Sequence, residues 1–166
     1  AGARRGAGQA LTSGRGGGVY APFCPLVPRP PLLHAVARVG EVLRYQDTLP
    51  DALREWTICV VARELANLFE WQMHRPLAEK AGVPAGALAA LEAGAPWPAD
   101  LPADLALAAV LTRELLARHD VADDRFETAR RTWGDAALVE LLTLVGYFAM
   151  VSWLMNVART PGPAKA

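Results

Sequence analysis

Four polar residues interrupt an apolar stretch of this sequence: Arg63, Asn67, Glu70 and His74, spaced by four, three and four positions. Residues three and four apart are neighbours on a helix surface, so one continuous helix would carry them as a polar stripe. A lone charge among apolar residues is costly, so such a stripe calls for partners. Glu70 and His74 form an i, i+4 pair. A carboxylate there can hold one imidazole nitrogen and leave the other to exchange a proton, which is general acid–base chemistry near neutral pH. The same spacing fits a solvated helix pair, and Arg63 with Glu70 fits a buried tie between helices; spacing alone leaves these readings open.

Glu55 is a further carboxylate, nineteen positions before His74. On one unbroken helix the two would stand roughly 28 Å apart at 1.5 Å per residue. They share a site only if the helix breaks and turns back, between about Ala66 and Arg75, or if they come from different subunits. Pro76 marks a candidate boundary, because a proline is tolerated in a first turn but not in a helix interior. A second helix starting a few residues before Pro76 would bring Glu70 and His74 close to N-terminal peptide dipoles, which favour an anion.

The elements that must position these residues read as helices throughout. Leu32, Leu33, Val36, Val39, Val42 and Leu43 recur at helical spacing from about Pro31. Pro50 and Asp51 open a helix that is apolar on nearly every face from Ala52 to Phe69, which predicts deep burial. The following helix runs to about Ala81 with Gly82 at C′, and a short one runs from Pro84 to Gly94. After the proline-rich loop Ala95–Pro102, residues 103–118 form the next helix. Asp123 is a candidate N-cap for 124–133, Gly134 closes that segment, and Asp135 caps a last helix from Ala136 to about Ala158. No segment alternates as a strand does. The expected class is all-α, with one domain over 32–160.

Residues 1–18, rich in Gly, Ala and Arg, read as a disordered tail. Residues 19–31, with five prolines, read as an extended arm with Tyr20, Phe23 and Leu26 as anchors, and 161–166 as a C-terminal tail. The chain has 17 basic and 17 acidic residues. That balance excludes the basic surplus of a nucleic-acid footprint and does little to oppose self-association. Cys24 and Cys59 form no C-x-x-C pair, so a disulfide framework is not expected and a reducing cytoplasm is. Cys59 reads as a buried small hydrophobe, with a reactive redox thiol as the competing reading. Leu141–Met155 is apolar but shorter than the ~20 residues a bilayer needs, so it reads as a core or interface helix rather than a membrane span. His34 and His119 lack spaced partners and read as surface or helix-end residues. No metal-ligand spacing and no phosphate-binding glycine loop occurs.

Several blocks resemble the carboxymuconolactone decarboxylase family: Leu49-Pro50, Leu53-Arg54-Glu55, Val60-Val61-Ala62-Arg63, Phe69-Glu70-Trp71-x-x-His74 and Ala81-Gly82-Val83. Val121-x-Asp123, Val139-Glu140-Leu141 and Gly146-Tyr147 through Asn156 look like that family's second half. The likeness covers about residues 20–162. The wider superfamily includes alkyl hydroperoxidase D. It implies an all-helical bundle of about six to eight helices, assembled as a homo-oligomer, a trimer or hexamer. In the peroxidase branch a Glu stands nineteen residues before a His, and two cysteines stand seven and four before it. Glu55 and His74 match the first pair, whereas the cysteine positions hold Asn67 and Glu70. Thiol peroxidase chemistry is therefore not expected.

The decarboxylase branch implies a small-molecule substrate, an organic acid or lactone, and no cofactor. His74 would then donate the proton or hold the lactone oxygen, with Glu55 and Glu70 tuning or relaying it. Arg63, Asn67, Trp71 and Tyr147 would line the substrate, Arg63 holding a carboxylate or tying down Glu70, and Trp71 as a pocket wall or core residue. The decarboxylases proper carry a Tyr-Ala-Gly-x-Pro-Ala-Ala type segment in the last helix. This chain has Gly146-Tyr147-Phe148-Ala149-Met150 there, so it looks like the broader Glu-Trp-x-x-His branch. A non-catalytic oligomer that binds a ligand or partner is the competing expectation, favoured by a closed site around His74.

Overall fold

The computed structural model describes residues 21–45 and 48–162. The expected tail at 1–18, the arm's Val19 and Tyr20, and all of the expected tail 161–166 except Pro161 and Gly162 lie outside the described residues. After a 3-10 helix at Ala21–Leu26 come six α-helices: α1 (Pro30–Tyr45), α2 (Asp51–Glu64), α3 (Leu68–Lys80), α4 (Ala85–Ala93), α5 (Ala103–Arg118) and α6 (Asp123–Val157). Among the described residues there is no strand.

The helix limits follow from local chemistry. Prolines 50, 84 and 102 stand at the N-caps of α2, α4 and α5, where a missing N–H costs nothing. Gly94 ends α4 in the left-handed region with φ 65°. Within α6, Gly134 departs from helical geometry (φ 80°, ψ 167°), so the two expected segments meet there with a break and no intervening loop.

Helix α2 is the centre of the core. Trp56 through Val61 are almost wholly shielded from solvent, as a helix apolar on every face requires. The Trp56 indole N–H donates to the Leu105 carbonyl of α5 at 2.8 Å, so this large buried ring also satisfies its polar atom. Helix α6 lies along α2 in the same direction. At one end the Thr48 N–H and hydroxyl donate to Glu140, at 2.7 and 2.8 Å. At the other, Asn156 Nδ2 donates to the Leu65 carbonyl at 2.7 Å.

The arm is not extended over 21–26. It coils into the 3-10 helix, which packs on α1 and α6, with Leu26 buried and Phe23 half-buried against the core. Two apolar anchors, Phe23 and Leu26, hold this short proline-bearing turn on its own domain. Helix α6 is the one described helix long and apolar enough to cross a membrane by length and composition. More than half of its most apolar window is buried inside the protein.

Candidate active site

The site is made by a turn that reverses the chain between α2 and α3. Ala66 takes a left-handed conformation with φ 52°. Its N–H bonds the Arg63 carbonyl at 3.1 Å, and the Asn67 N–H bonds the Ala62 carbonyl at 2.8 Å. This is the paired hydrogen-bond pattern that closes a helix with a left-handed C′ residue. Asn67 then caps α3, its Oδ1 accepting from the Glu70 N–H at 3.1 Å. Because the Asn67 N–H is already used, the Glu70 carboxylate has no capping partner to reach back for. It faces along α3 to His74, one turn on.

The break therefore lies at Leu65–Asn67, at the leading edge of the expected window. Helix α3 starts eight residues before Pro76, not a few, and Pro76 lies inside it. The polar stripe of one continuous helix does not form: Arg63 belongs to α2, Asn67 to the turn, and Glu70 and His74 to α3.

The reversal brings Glu55 and His74 together. Glu55 Oε2 lies 2.6 Å from His74 Nδ1, and Glu70 Oε2 lies 3.1 Å from His74 Nε2. All three residues are at most 5% exposed, so this is a buried network and not a solvated helix pair. The Phe148 ring of α6 meets the imidazole edge-on, centroids 5.3 Å apart. Ionised carboxylates only accept hydrogen bonds, so filling both ring nitrogens requires both to carry protons. Burial is the largest single influence on His74 and opposes that charge. The hydrogen bonds and charges of Glu55 and Glu70 together outweigh it and raise the pKa above the ordinary histidine value. Arg54 adds a second cation: its Nε stands 3.6 Å from Glu55 Oε1 while its Nη2 bonds Asp51 at 2.6 Å. With Asp51 on Arg54, the cluster joins three carboxylates, one guanidinium and the His74 imidazole.

The other expected residues are placed differently. Asn67 is buried, and its side-chain nitrogen has no partner. Arg63 donates to the Glu92 carbonyl at 2.7 Å and stacks over Trp71 at 5.3 Å, which directs it toward α4. Trp71 is buried beneath Arg63 and Arg75. Tyr147 is buried, its hydroxyl pressed on Gly40, and its pKa is pushed up to about 12 by burial and then by the Glu70 charge. It lines an apolar groove of about 450 Å³ between α1 and α6 with Val36, Val39, Thr143 and Met150. Neither this groove nor a smaller one of about 300 Å³ against Arg125 is lined by Glu55, Glu70 or His74.

Cys59 is fully buried one turn after Glu55, and burial holds its thiol protonated, which counts against a redox role. Among the described residues no cluster of metal-ligating side chains occurs.

Arg54 and Phe148 are the residues that spacing arguments miss. Arg54 adjoins Glu55 in sequence, and adjacent residues do not face one another on a helix. Phe148 comes from a distant apolar run with nothing to mark it. Chemically, the arrangement is an imidazole with a separate carboxylate at each nitrogen, shielded from water. Compared with known proteins, the chain matches no family profile and no curated protein in sequence.

Proposed function

We propose that this chain is a carboxymuconolactone-decarboxylase-like protein of the alkyl hydroperoxidase D superfamily. In this reading its Glu55–His74–Glu70 centre moves a proton on a small organic acid or lactone. The observation that carries the reading is the imidazole of His74 bridged between carboxylates of two helices, with Glu55 at 2.6 Å and Glu70 at 3.1 Å. That pattern raises the proton affinity of a buried base and so favours its acid form.

In the reaction so proposed, loss of carbon dioxide leaves an electron pair delocalised as a dienolate. Substrate displaces the Glu70 carboxylate from Nε2, and the Nε2 proton passes to the dienolate carbon. Glu55 keeps the Nδ1 proton and so fixes the neutral tautomer that results. Glu70, swinging back, returns a proton taken from solvent. The Asn67 side-chain nitrogen at the start of α3, buried without a partner, offers a donor to a substrate oxygen. Peroxidase chemistry in the manner of alkyl hydroperoxidase D would have to proceed without thiols.

The test is turnover of a panel of lactones and 2-enoic or 2-oxo acids by the wild-type chain and by His74→Gln. The expected loss is on the order of 10²–10⁴-fold, the range for a general acid. Full turnover in a folded His74→Gln chain removes the reading.

A second reading rests on the closure of the cluster. Glu55, Glu70 and His74 are all buried and line neither groove. A non-catalytic helical protein that binds a ligand or partner, with the cluster as an internal tie, fits that closure. It predicts no turnover on any member of the panel.

A further inference from the structure

Helix α6 carries a second pattern, on the face turned away from α2. Val139, Thr143, Gly146, Met150, Trp153 and Val157 are spaced by four, three, four, three and four positions, the a/d repeat of a coiled-coil seam. Five of the six are exposed, and Met150 is half-buried. Val139, Trp153 and Val157 are exposed by 63, 57 and 86%. From Leu141 to Ala158 the helix has no charged residue. Across the groove, α1 presents Leu32, Ala35, Val39 and Val42 at spacings of three, four and three, all exposed.

We infer that this seam is the interface with a second copy of the same chain, the two α6 helices crossing antiparallel about a two-fold axis near Phe148. The order of residues carries the inference. The spacing is palindromic about position 148, so antiparallel pairing sets Val139 against Val157, Thr143 against Trp153, and Gly146 against Met150. Small meets large in two of the three pairs, and medium meets medium in the third. A two-fold interface requires this self-complementarity, in which residue i meets j and j meets i. A Met150 or Trp153 side chain from the second copy would enter the groove beside Tyr147.

The area agrees. On typical whole-residue areas, the exposed parts of the two stripes come to roughly 700 Å², close to the ~800 Å² per partner of a stable interface and above what a monomer usually exposes. A lipid surface would be met by a broad apolar face. What α6 offers is a narrow seam, since the rest of its most apolar stretch is largely inside the protein. The inference is independent of the chemistry proposed at His74.

The test uses the full chain. Nothing lies within 4 Å of a Cβ placed on Gly146, and its backbone is helical, so Gly146→Glu leaves the protomer intact while putting a charge at the crossing. Sedimentation of the wild-type chain at micromolar concentration is expected to give a dimer or a multiple of one. Gly146→Glu and, separately, Trp153→Glu should halve its mass without changing helicity. In a Cys24→Ser background, Val139→Cys mixed with Val157→Cys should cross-link under a mild oxidant more readily than Val157→Cys alone. A wild-type monomer overturns the inference, as does an assembly that keeps its mass in both charge variants. Self-cross-linking of Val157→Cys in preference to the mixed pair overturns the antiparallel arrangement. Transfer of the wild-type chain into neutral phosphatidylcholine vesicles as a monomer would assign the seam to lipid and overturn it as well.

Discussion

Two clusters in this molecule have mirrored composition. At one, a histidine lies between Glu55 and Glu70; at the other, Glu114 lies between Arg118 and Arg125, at 3.0 and 2.8 Å. The arginine side chains are 73 and 42% exposed, so the second cluster vents its charge into water and salt. Its carboxyl is held below the usual range, chiefly by the hydrogen bond from Arg125. It clips α5 to the start of α6. In the first cluster the imidazole and both of its carboxylates are buried, and only Arg54, through Asp51, reaches solvent. The charge balance there depends on whether His74 holds its proton, which makes proton occupancy, and not geometry alone, the variable of the site. A tie and a titrating centre can thus be built from the same kinds of contact, and burial decides which one results.

The largest test of that contrast is His74→Ala. It leaves two buried carboxylates without their shared cation, and breaking a buried pair costs about 3–5 kcal/mol. Urea melts should show a loss of that order, and a change within about 0.5 kcal/mol, the range of an ordinary surface substitution, would place the cluster among surface ties. Next, Glu55→Gln or Glu70→Gln should lower the His74 pKa, read by NMR titration of the imidazole; an unchanged value would remove the electrostatic account.

A smaller effect concerns pH. The folded His74 pKa lies above its unfolded value, so the folded state binds the extra proton. The stability it contributes is fully present below the ordinary histidine pKa of 6.5 and is lost as pH rises through the raised folded value. Melting temperature should fall over that range in the wild-type chain and stay flatter in His74→Gln. Equal slopes would dissociate the titration from His74. The smallest effect is expected for Arg118→Ala. A slight drop in melting temperature at low salt should vanish at high salt, whereas the His74 effects should persist.

Much of the fold was legible because punctuation is local. Pro50, Pro84, Pro102, Gly82 and Gly94 stand where helices begin or end, and the span 103–118 follows from its apolar period alone. Deep burial of Trp56 through Val61 was equally readable, because that segment has no polar face to offer solvent. The site was legible in part. The Glu70–His74 pairing follows from i, i+4 spacing, and Glu55 required the family resemblance and the condition of a break. The break itself was obscured because Ala66, not glycine, occupies the left-handed position, and alanine carries no turn signal. Pro76 misled in the opposite direction: it looks like a boundary but is accommodated in the middle of α3. Arg63 pointed toward Glu70 by period only so long as the helix was taken as continuous.

The turn at Leu65–Asn67 has a consequence for the order in which the protein assembles. Glu55 and His74 are nineteen residues apart, whereas the clasp between Thr48 and Glu140 spans 92. Closing a loop costs conformational entropy that grows with its length, and contacts between near neighbours in sequence form fastest. Glu55 and His74 therefore belong to a single helical hairpin that can close from one short piece of chain, whereas α6, with Phe148, must be brought from far away in sequence. Loop-closure entropy alone thus favours forming the centre before its cover.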